Sequence, residues 1–298
     1  MIEHMHIGLL GFGEVGQILA TDLLSRGVER ISVWDVQFAN ADSAPARAAR
    51  ATRVHVGRDA FDAARDTALI ISAVTAAQDI AAAQSVAAHL TAGTYFLDLN
   101  SVSPGVKQQT ADVIAASGGR YVEAAIMSPI SPKRTASPIL LGGPHAQEFA
   151  PLARALGFEG AEVFSDAIGK ASAAKMCRSV IVKGMEALLT EALLAARSYG
   201  VEATVIESLR NLFPAKDWQV LARYMISRSL QHGARRAEEM REVAATVREA
   251  GFDPWMSAAS AERQQWSARF GELASTEPLD TLLDALLAAG RAEGNERC

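Results

Sequence analysis

Between His6 and Ser165 the chain alternates short apolar runs with segments whose apolar positions recur at helical spacing. The runs are His6–Leu10, Ile31–Trp34, Arg53–Val56, Leu69–Ala73, Tyr95–Leu97, Tyr121–Met127, Ile139–Leu141 and Glu162–Phe164, and each reads as a strand. Val15–Arg26, Ala76–His89, Pro104–Ala116 and Ala146–Leu156 read as helices between them. Leu69–Ala73 is Leu-Ile-Ile-Ser-Ala, almost continuously apolar, as a strand covered on both faces should be. Such alternation predicts parallel β-α-β units, and so an α/β fold with a doubly wound parallel sheet.

After Gly169 the strand signal stops. Lys170–Tyr199 reads as one helix of about 30 residues, roughly 45 Å long. Met176, Val180, Ile181, Val182, Met185, Leu188, Leu189, Leu193 and Leu194 spread over more than one of its faces, which predicts burial among partner helices. Gly200 is placed to stop it. Further helices are expected over Glu202–Leu212, Pro214–Gln231, Arg235–Ala250, Pro254–Leu273 and Pro278–Ala289, with a polar tail from Gly290 that frays. The reading is two parts, residues 1–168 and 169–298, the second all-α and joined through the long helix.

Composition narrows the class. With 298 residues, 49% apolar and 21% charged, the chain can bury a core in each part. A net charge of −5, without a basic stripe, argues against nucleic acid as a partner. No run reaches the roughly 18 uncharged apolar residues of a membrane span. The apolar stretch around 180–196 is interrupted by Lys183, Glu186 and Glu191. Two cysteines, Cys177 and Cys298, give no disulfide framework, and a cytoplasmic setting follows as the expectation. Cys177 is expected to be a buried helix residue.

Chemistry enters at Gly11-Phe12-Gly13-Glu14-Val15-Gly16, which follows the first strand and opens the first helix. In that context Gly-x-Gly-x-x-Gly is a dinucleotide-binding signature of the Rossmann type. Gly11 makes the turn, Gly13 lets a pyrophosphate approach, and Gly16 lets helix and sheet pack closely. Asp35 ends the second strand 19 residues beyond Gly16. A carboxylate there accepts ribose hydroxyls and repels a 2′-phosphate, and Val36-Gln37-Phe38 brings no arginine to hold one. NAD is therefore favoured over NADP. The bland alternative for Asp35 is a solvated strand end. Ala73-Val74-Thr75 and Asn100 follow the fourth and fifth strands, where such sheets line the cofactor groove. Asn100 has an alternative role, capping the helix that begins at Pro104.

No histidine pair has metal-ligand spacing, so no metal site is expected. A lysine can serve as the base if it is desolvated or set near positive charge. At this point the chain resembles the β-hydroxyacid dehydrogenase family, which includes 6-phosphogluconate and 3-hydroxyisobutyrate dehydrogenases. The resemblance lies in the Gly11–Gly16 loop, in Asp98-Leu99-Asn100-Ser101-Val102-Ser103-Pro104, in Val122–Pro129 and in Gly169-Lys170-Ala171-Ser172-Ala173-Ala174-Lys175. It covers residues 6 to about 200; the remainder is similar only in being helical. It implies that Lys175 is the general base and that Ser128 lies in the substrate-binding segment. Ser179 stands where the family has an asparagine, with Arg178 beside it as a possible charged contact. Met127-Ser128-Pro129 stands in place of a Ser-Gly-Gly clamp, and Ala171 in place of a glycine.

The cluster His232-Gly233-Ala234-Arg235-Arg236 offers a carboxylate clamp, with His232 assisting, or else a solvated helix start paired Arg235–Glu239. Lys183 is expected to pair with Glu186 or with the surface of the cofactor-binding part, and Lys133-Arg134 to form an exposed turn, with the steering of anions as the alternative. The resemblance implies an NAD-dependent oxidoreductase acting on a small β-hydroxy acid or sugar-acid-like substrate, with decarboxylation left open. The alternatives are a reductase of C=O or C=N bonds, or an NAD(H)-binding sensor. At least a dimer is expected, from the apolar helix and the small helical part.

Overall fold

The computed structural model describes residues 2–209 and 217–295. The expected helix end at Leu212, the helix start at Pro214 and Cys298 lie outside the described residues. The chain divides into two compact units, Met1–Met176 and Cys177–Cys298.

The first unit is an eight-stranded sheet in the order β3-β2-β1-β4-β5-β6-β7-β8. Its elements run β1 (His6–Leu10), α1 (Glu14–Ser25), β2 (Arg30–Trp34), α2 (Ala44–Ala51), β3 (His55–Val56), α3 (Ala60–Ala64), β4 (Leu69–Ser72), α4 (Asp79–Ala87) and β5 (Tyr95–Asp98). They continue through α5 (Pro104–Ala116), β6 (Arg120–Ile126), α6 (Ile130–Lys133), β7 (Ile139–Gly142), α7 (Ala146–Ala155) and β8 (Ala161–Ser165), after which α8 (Lys170–Ser198) begins. Adjacent residues of one strand feed different cores. Leu9, Leu69, Ile71 and Leu97 pack in one cluster, while Leu10, Ile70 and Phe96 pack in another. Both faces of the sheet are thus covered, which is why these strands are apolar throughout.

All strand pairs are parallel except β6–β7, which is antiparallel. The connection from Met127 to Pro138 holds only the one-turn α6 and a 3-10 turn, Arg134–Ala136, which do not form a full crossover helix. The sequence pattern also misses α2, α3 and α6, which are short. It extends the third strand to Arg53, where only His55 and Val56 pair with β2.

The second unit is helical: the remainder of α8, α9 (Glu202–Leu209), α10 (Trp218–Glu249), α11 (Trp255–Ser267), a 3-10 segment Ala268–Ser275 and α12 (Leu279–Asn295). Leu189, Leu193, Ile226, Leu230, Phe270, Leu282 and Leu286 form its core. Ile181 and Leu188, expected to be buried, are exposed, seven residues apart on one side of α8 and turned away from that core. Two expected helices are one, since α10 runs unbroken through Gly233. A Cβ on Gly233 would stand 2.5 Å from the Gln264 carbonyl oxygen, so this glycine serves close helix packing and not a stop. The expected Pro254–Leu273 helix ends at Ser267, and the last helix continues past Gly290 to Asn295. Cys177 is exposed, contrary to expectation, because its neighbours Met176 and Ser179 take the buried positions of that turn.

Candidate active site

The glycine loop has the conformation its spacing demands. Gly11 lies at φ 91°, and a Cβ there would be 2.4 Å from the carbonyl oxygen of Ala73. A Cβ on Gly16 would be 2.2 Å from the Gly11 oxygen, which leaves α1 packed directly on the loop. At Gly13 a Cβ would meet nothing within 4 Å. Gly13 is also the N-cap of α1, and it offers no side chain to the helix's first N–H groups. Open space before an uncapped helix terminus is what a pyrophosphate requires, so the residues present fit a dinucleotide. Glu14 is exposed and Val15 half-buried at this terminus. Phe12 is fully buried, edge-on to Phe38 with ring centroids 6.2 Å apart.

Asp35 is buried, not a solvated strand end. One carboxylate oxygen accepts the Phe12 N–H at 2.7 Å, and the other accepts the Gln37 N–H at 2.8 Å.

Asn100 does not cap α5; Ser103 does, accepting from the N–H of Val106. The Asn100 side chain instead ties loops together. Its oxygen accepts the Val74 N–H at 2.8 Å, and its amide donates to Ser72 Oγ at 2.9 Å and Asp79 Oδ1 at 2.7 Å. Val74 is thereby fixed beside the glycine loop, next to Ala73, whose carbonyl oxygen closes on Gly11. Beneath them lies a buried polar network that sequence reasoning missed. Lys107 Nζ pairs with Asp98 Oδ1 at 2.7 Å, and Tyr121 donates to Asp98 Oδ2 at 2.7 Å. Thr110 donates to Asp79 Oδ2 at 3.3 Å. Burial first, then the negative charge of Asp98, raises the pKa of Asp79 to about 7.

Lys175 is half-buried in the second turn of α8. Its Nζ donates to Ser101 Oγ at 2.5 Å, next in sequence to Asn100. The structure therefore joins Lys175, Ser101, Asn100, Val74 and the Ala73–Gly11 contact in one run at the carboxyl ends of β5, β4 and β1. Ligands of open α/β sheets bind at those ends. Glu123, on β6, is fully buried and accepts the N–H groups of Gly169 at 2.7 Å and Ser172 at 2.5 Å. A carboxylate inside an apolar strand was the available signal for it. Ser128 is half-buried, and its hydroxyl donates to the Pro129 carbonyl at 3.3 Å. Arg134 is no free turn residue: its guanidinium meets Asp22 of α1 at 2.6 Å.

In the second unit Arg178 is exposed and Ser179 buried. Lys183 pairs with Glu239, and Glu186 pairs with Arg236. This corrects the expected Lys183–Glu186 pair and leaves Arg236 engaged inside the fold. Gln264 joins them, donating to Glu186 and accepting from Ser229. Arg235 is largely exposed, 3.9 Å from Glu239. The His232 ring meets Arg228 at 2.6 Å; since a guanidinium only donates, Nε2 accepts. Burial, then the charges of Arg228, Arg235 and Arg236, lowers the His232 pKa to about 4, so it is a neutral acceptor at pH 7. Among the described residues no group of three or more His, Cys, Asp or Glu could hold a metal. No described helix is long and apolar enough to cross a membrane.

Residues 6–169 match the model for the NAD binding domain of 6-phosphogluconate dehydrogenase. The chain belongs to this family. Residues 196–267 match a domain of unknown function, DUF1932, so the family's cofactor domain is here followed by a less characterised helical region. A conserved hypothetical protein from Sinorhizobium meliloti is 35% identical, with a TM-score of 0.73 over 95% of this chain and 96% of its own. Human mitochondrial 3-hydroxyisobutyrate dehydrogenase is 21% identical over 71% of this chain, which spans 63% of that enzyme. A reductive aminase from Aspergillus terreus, solved with NADPH, is 24% identical with a TM-score of 0.55, covering 95% of this chain and 99% of its own. That likeness is one of fold. Family membership makes this an NAD(P)-binding, hydroxyacid-dehydrogenase-like chain.

Proposed function

We propose that the protein is an NAD-dependent dehydrogenase of a small β-hydroxy acid or sugar-acid-like substrate, with Lys175 as its general acid/base. The observation that carries this reading is the 2.5 Å bond from Lys175 Nζ to Ser101 Oγ. It holds an amine beside a hydroxyl at the strand ends, where the glycine loop would hold the dinucleotide. Gly11–Gly16 would receive the pyrophosphate, Asp35 a ribose, and Ala73–Thr75 would wall the groove. The nicotinamide, when bound, supplies the hydride-accepting carbon. The neutral Lys175 amine takes the substrate hydroxyl proton as the C–H bond breaks. The same group, protonated, returns a proton to the carbonyl oxygen in the reverse direction, or assists if the β-keto product loses its carboxylate.

Ser128, Arg178, Ser179, His232 and Arg235 are proposed as substrate contacts, and the preference for NAD over NADP rests on Asp35. A cytoplasmic setting and at least a dimer belong to the same reading. The dimer is supported by exposed apolar side chains in the helical unit: Ile181 and Leu188 on α8, Val220 and Tyr224 on α10, and Trp255 on α11.

The test is a panel of hydroxy acids that includes 3-hydroxyisobutyrate and 6-phosphogluconate, assayed for NADH formation with the native protein and Lys175→Met. Turnover should fall by about 10³-fold or more in the variant while dinucleotide affinity is kept. Full activity in Lys175→Met would remove the lysine from the chemistry.

A further inference from the structure

We propose that Glu123 is the positioning residue for Lys175: its carboxylate grips the first turn of α8 and so sets where the lysine amine stands. The inference rests on the reading of Lys175 as the acid/base group.

Glu123 sits mid-strand in β6, among residues that are buried on both sides of it. A carboxylate in such a place is costly unless its oxygens are satisfied. Both are. Oε2 accepts from Gly169 and Oε1 from Ser172, the residue before α8 and one in its first turn. A neutral carboxyl would turn an O–H against one of these N–H groups, so the pair of bonds favours the ionised form. Burial nevertheless raises the Glu123 pKa above the ordinary carboxylate value; Lys107 and the two N–H groups oppose that shift, and Asp98 adds to it. The helix terminus itself attracts a negative charge. The neighbouring strand makes room: Gly142 is the register partner of Glu123, and a Cβ on it would stand 2.7 Å from Oε2.

A serine or threonine before the helix could satisfy one of these N–H groups at no such cost. What a strand carboxylate adds is registration of the helix against the sheet. The same turn makes a second tie, from the Ser172 hydroxyl to the Val102 carbonyl oxygen. One turn later, Lys175 reaches Ser101, on the same loop as Val102. Lysine is a point charge on a flexible four-carbon stem, so the position of its Cα decides where the amine can stand. A misplacement of about 1 Å in such a group costs roughly a hundredfold in rate.

The experiment compares the native protein with Glu123→Gln. That variant keeps one acceptor oxygen but sets an amide N–H₂ against the second backbone N–H. Amide hydrogen exchange over residues 169–176 should rise, which reads the anchor without any substrate. With the best acid of the panel, kcat should fall at least ~10-fold while NADH affinity, read by fluorescence titration, stays within about twofold. The acid limb of the kcat/KM profile should move to lower pH, because a negative charge on the first turn of α8, the helix that carries Lys175, is gone. Loosened packing alone would not move that limb. If Glu123→Gln does not fold, Glu123→Asp, whose shorter arm cannot span both N–H groups, takes the same measurements. Unchanged exchange, turnover and acid limb overturn the proposal. A fully active Lys175→Met overturns the functional reading instead, and the exchange result still judges the anchor separately.

Discussion

The carboxylate of Asp35 accepts the backbone N–H of Phe12 at 2.7 Å, so the end of β2 and the glycine loop are held as one piece. The residue that would choose between cofactors therefore also shapes the loop that would hold their phosphates. Titration calorimetry should show NAD bound about tenfold or more tighter than NADP. Asp35→Ala should weaken both and bring them within about threefold of each other, since repulsion of the 2′-phosphate and support of the loop are lost together. Equal affinities in the native protein would remove Asp35 as the discriminator.

Asp79 sets a pH dependence of stability. Its folded pKa, about 7, lies above the roughly 3.9 of an unfolded aspartate. Between those values the folded state holds the extra proton, so this group makes stability fall as pH rises from about 4 to about 7, and level off above. Asp79→Asn keeps the Asn100 contact, and the Thr110 hydroxyl can turn from donor to acceptor. Urea denaturation at pH 5 and pH 8 should show the variant losing about 2–4 kcal/mol less than the native protein across that interval. Parallel curves would mean that Asp79 ionises normally.

Two helical glycines of the second unit should respond oppositely to alanine. At Gly233 a Cβ would stand 2.5 Å from the Gln264 oxygen and 2.7 Å from the Ala268 nitrogen, both backbone atoms that cannot give way cheaply. Gly233→Ala should cost about 1–3 kcal/mol in chemical denaturation. Gly184 lies within α8, and a Cβ there would meet only Ser260 Oγ at 3.8 Å. Gly184→Ala should be neutral or stabilise by about 0.5–1 kcal/mol. A destabilised Gly184→Ala, or an unaffected Gly233→Ala, would contradict the packing described.

The order of strands and helices was legible because strands covered on both faces must be apolar, and because Gly11 and Gly16 are each required by a backbone approach that only glycine allows, while Gly13 leaves open space at the helix terminus. The direction of β7 was not legible, since an apolar run carries no sign of parallel or antiparallel pairing. The continuity of α10 through residues 232–234 was not legible either: a glycine that admits a neighbouring helix and a glycine that ends one look alike in sequence. The partners of Asn100 and Glu123 lay beyond reach, because they stand 21 to 49 residues away along the chain. Lys175 could be singled out only through its motif; its bond to Ser101 spans 74 residues.

Arg134 and Thr135 both reach Asp22, which lies on α1, the helix whose first turn faces the glycine loop. The chain that leaves β6 past Ser128 is therefore bolted to the dinucleotide helix and does not hang as a separate flap. Ordering of that segment is accomplished during folding, and a ligand arriving there meets a rigid wall and gives up less of its binding energy to stiffening the protein.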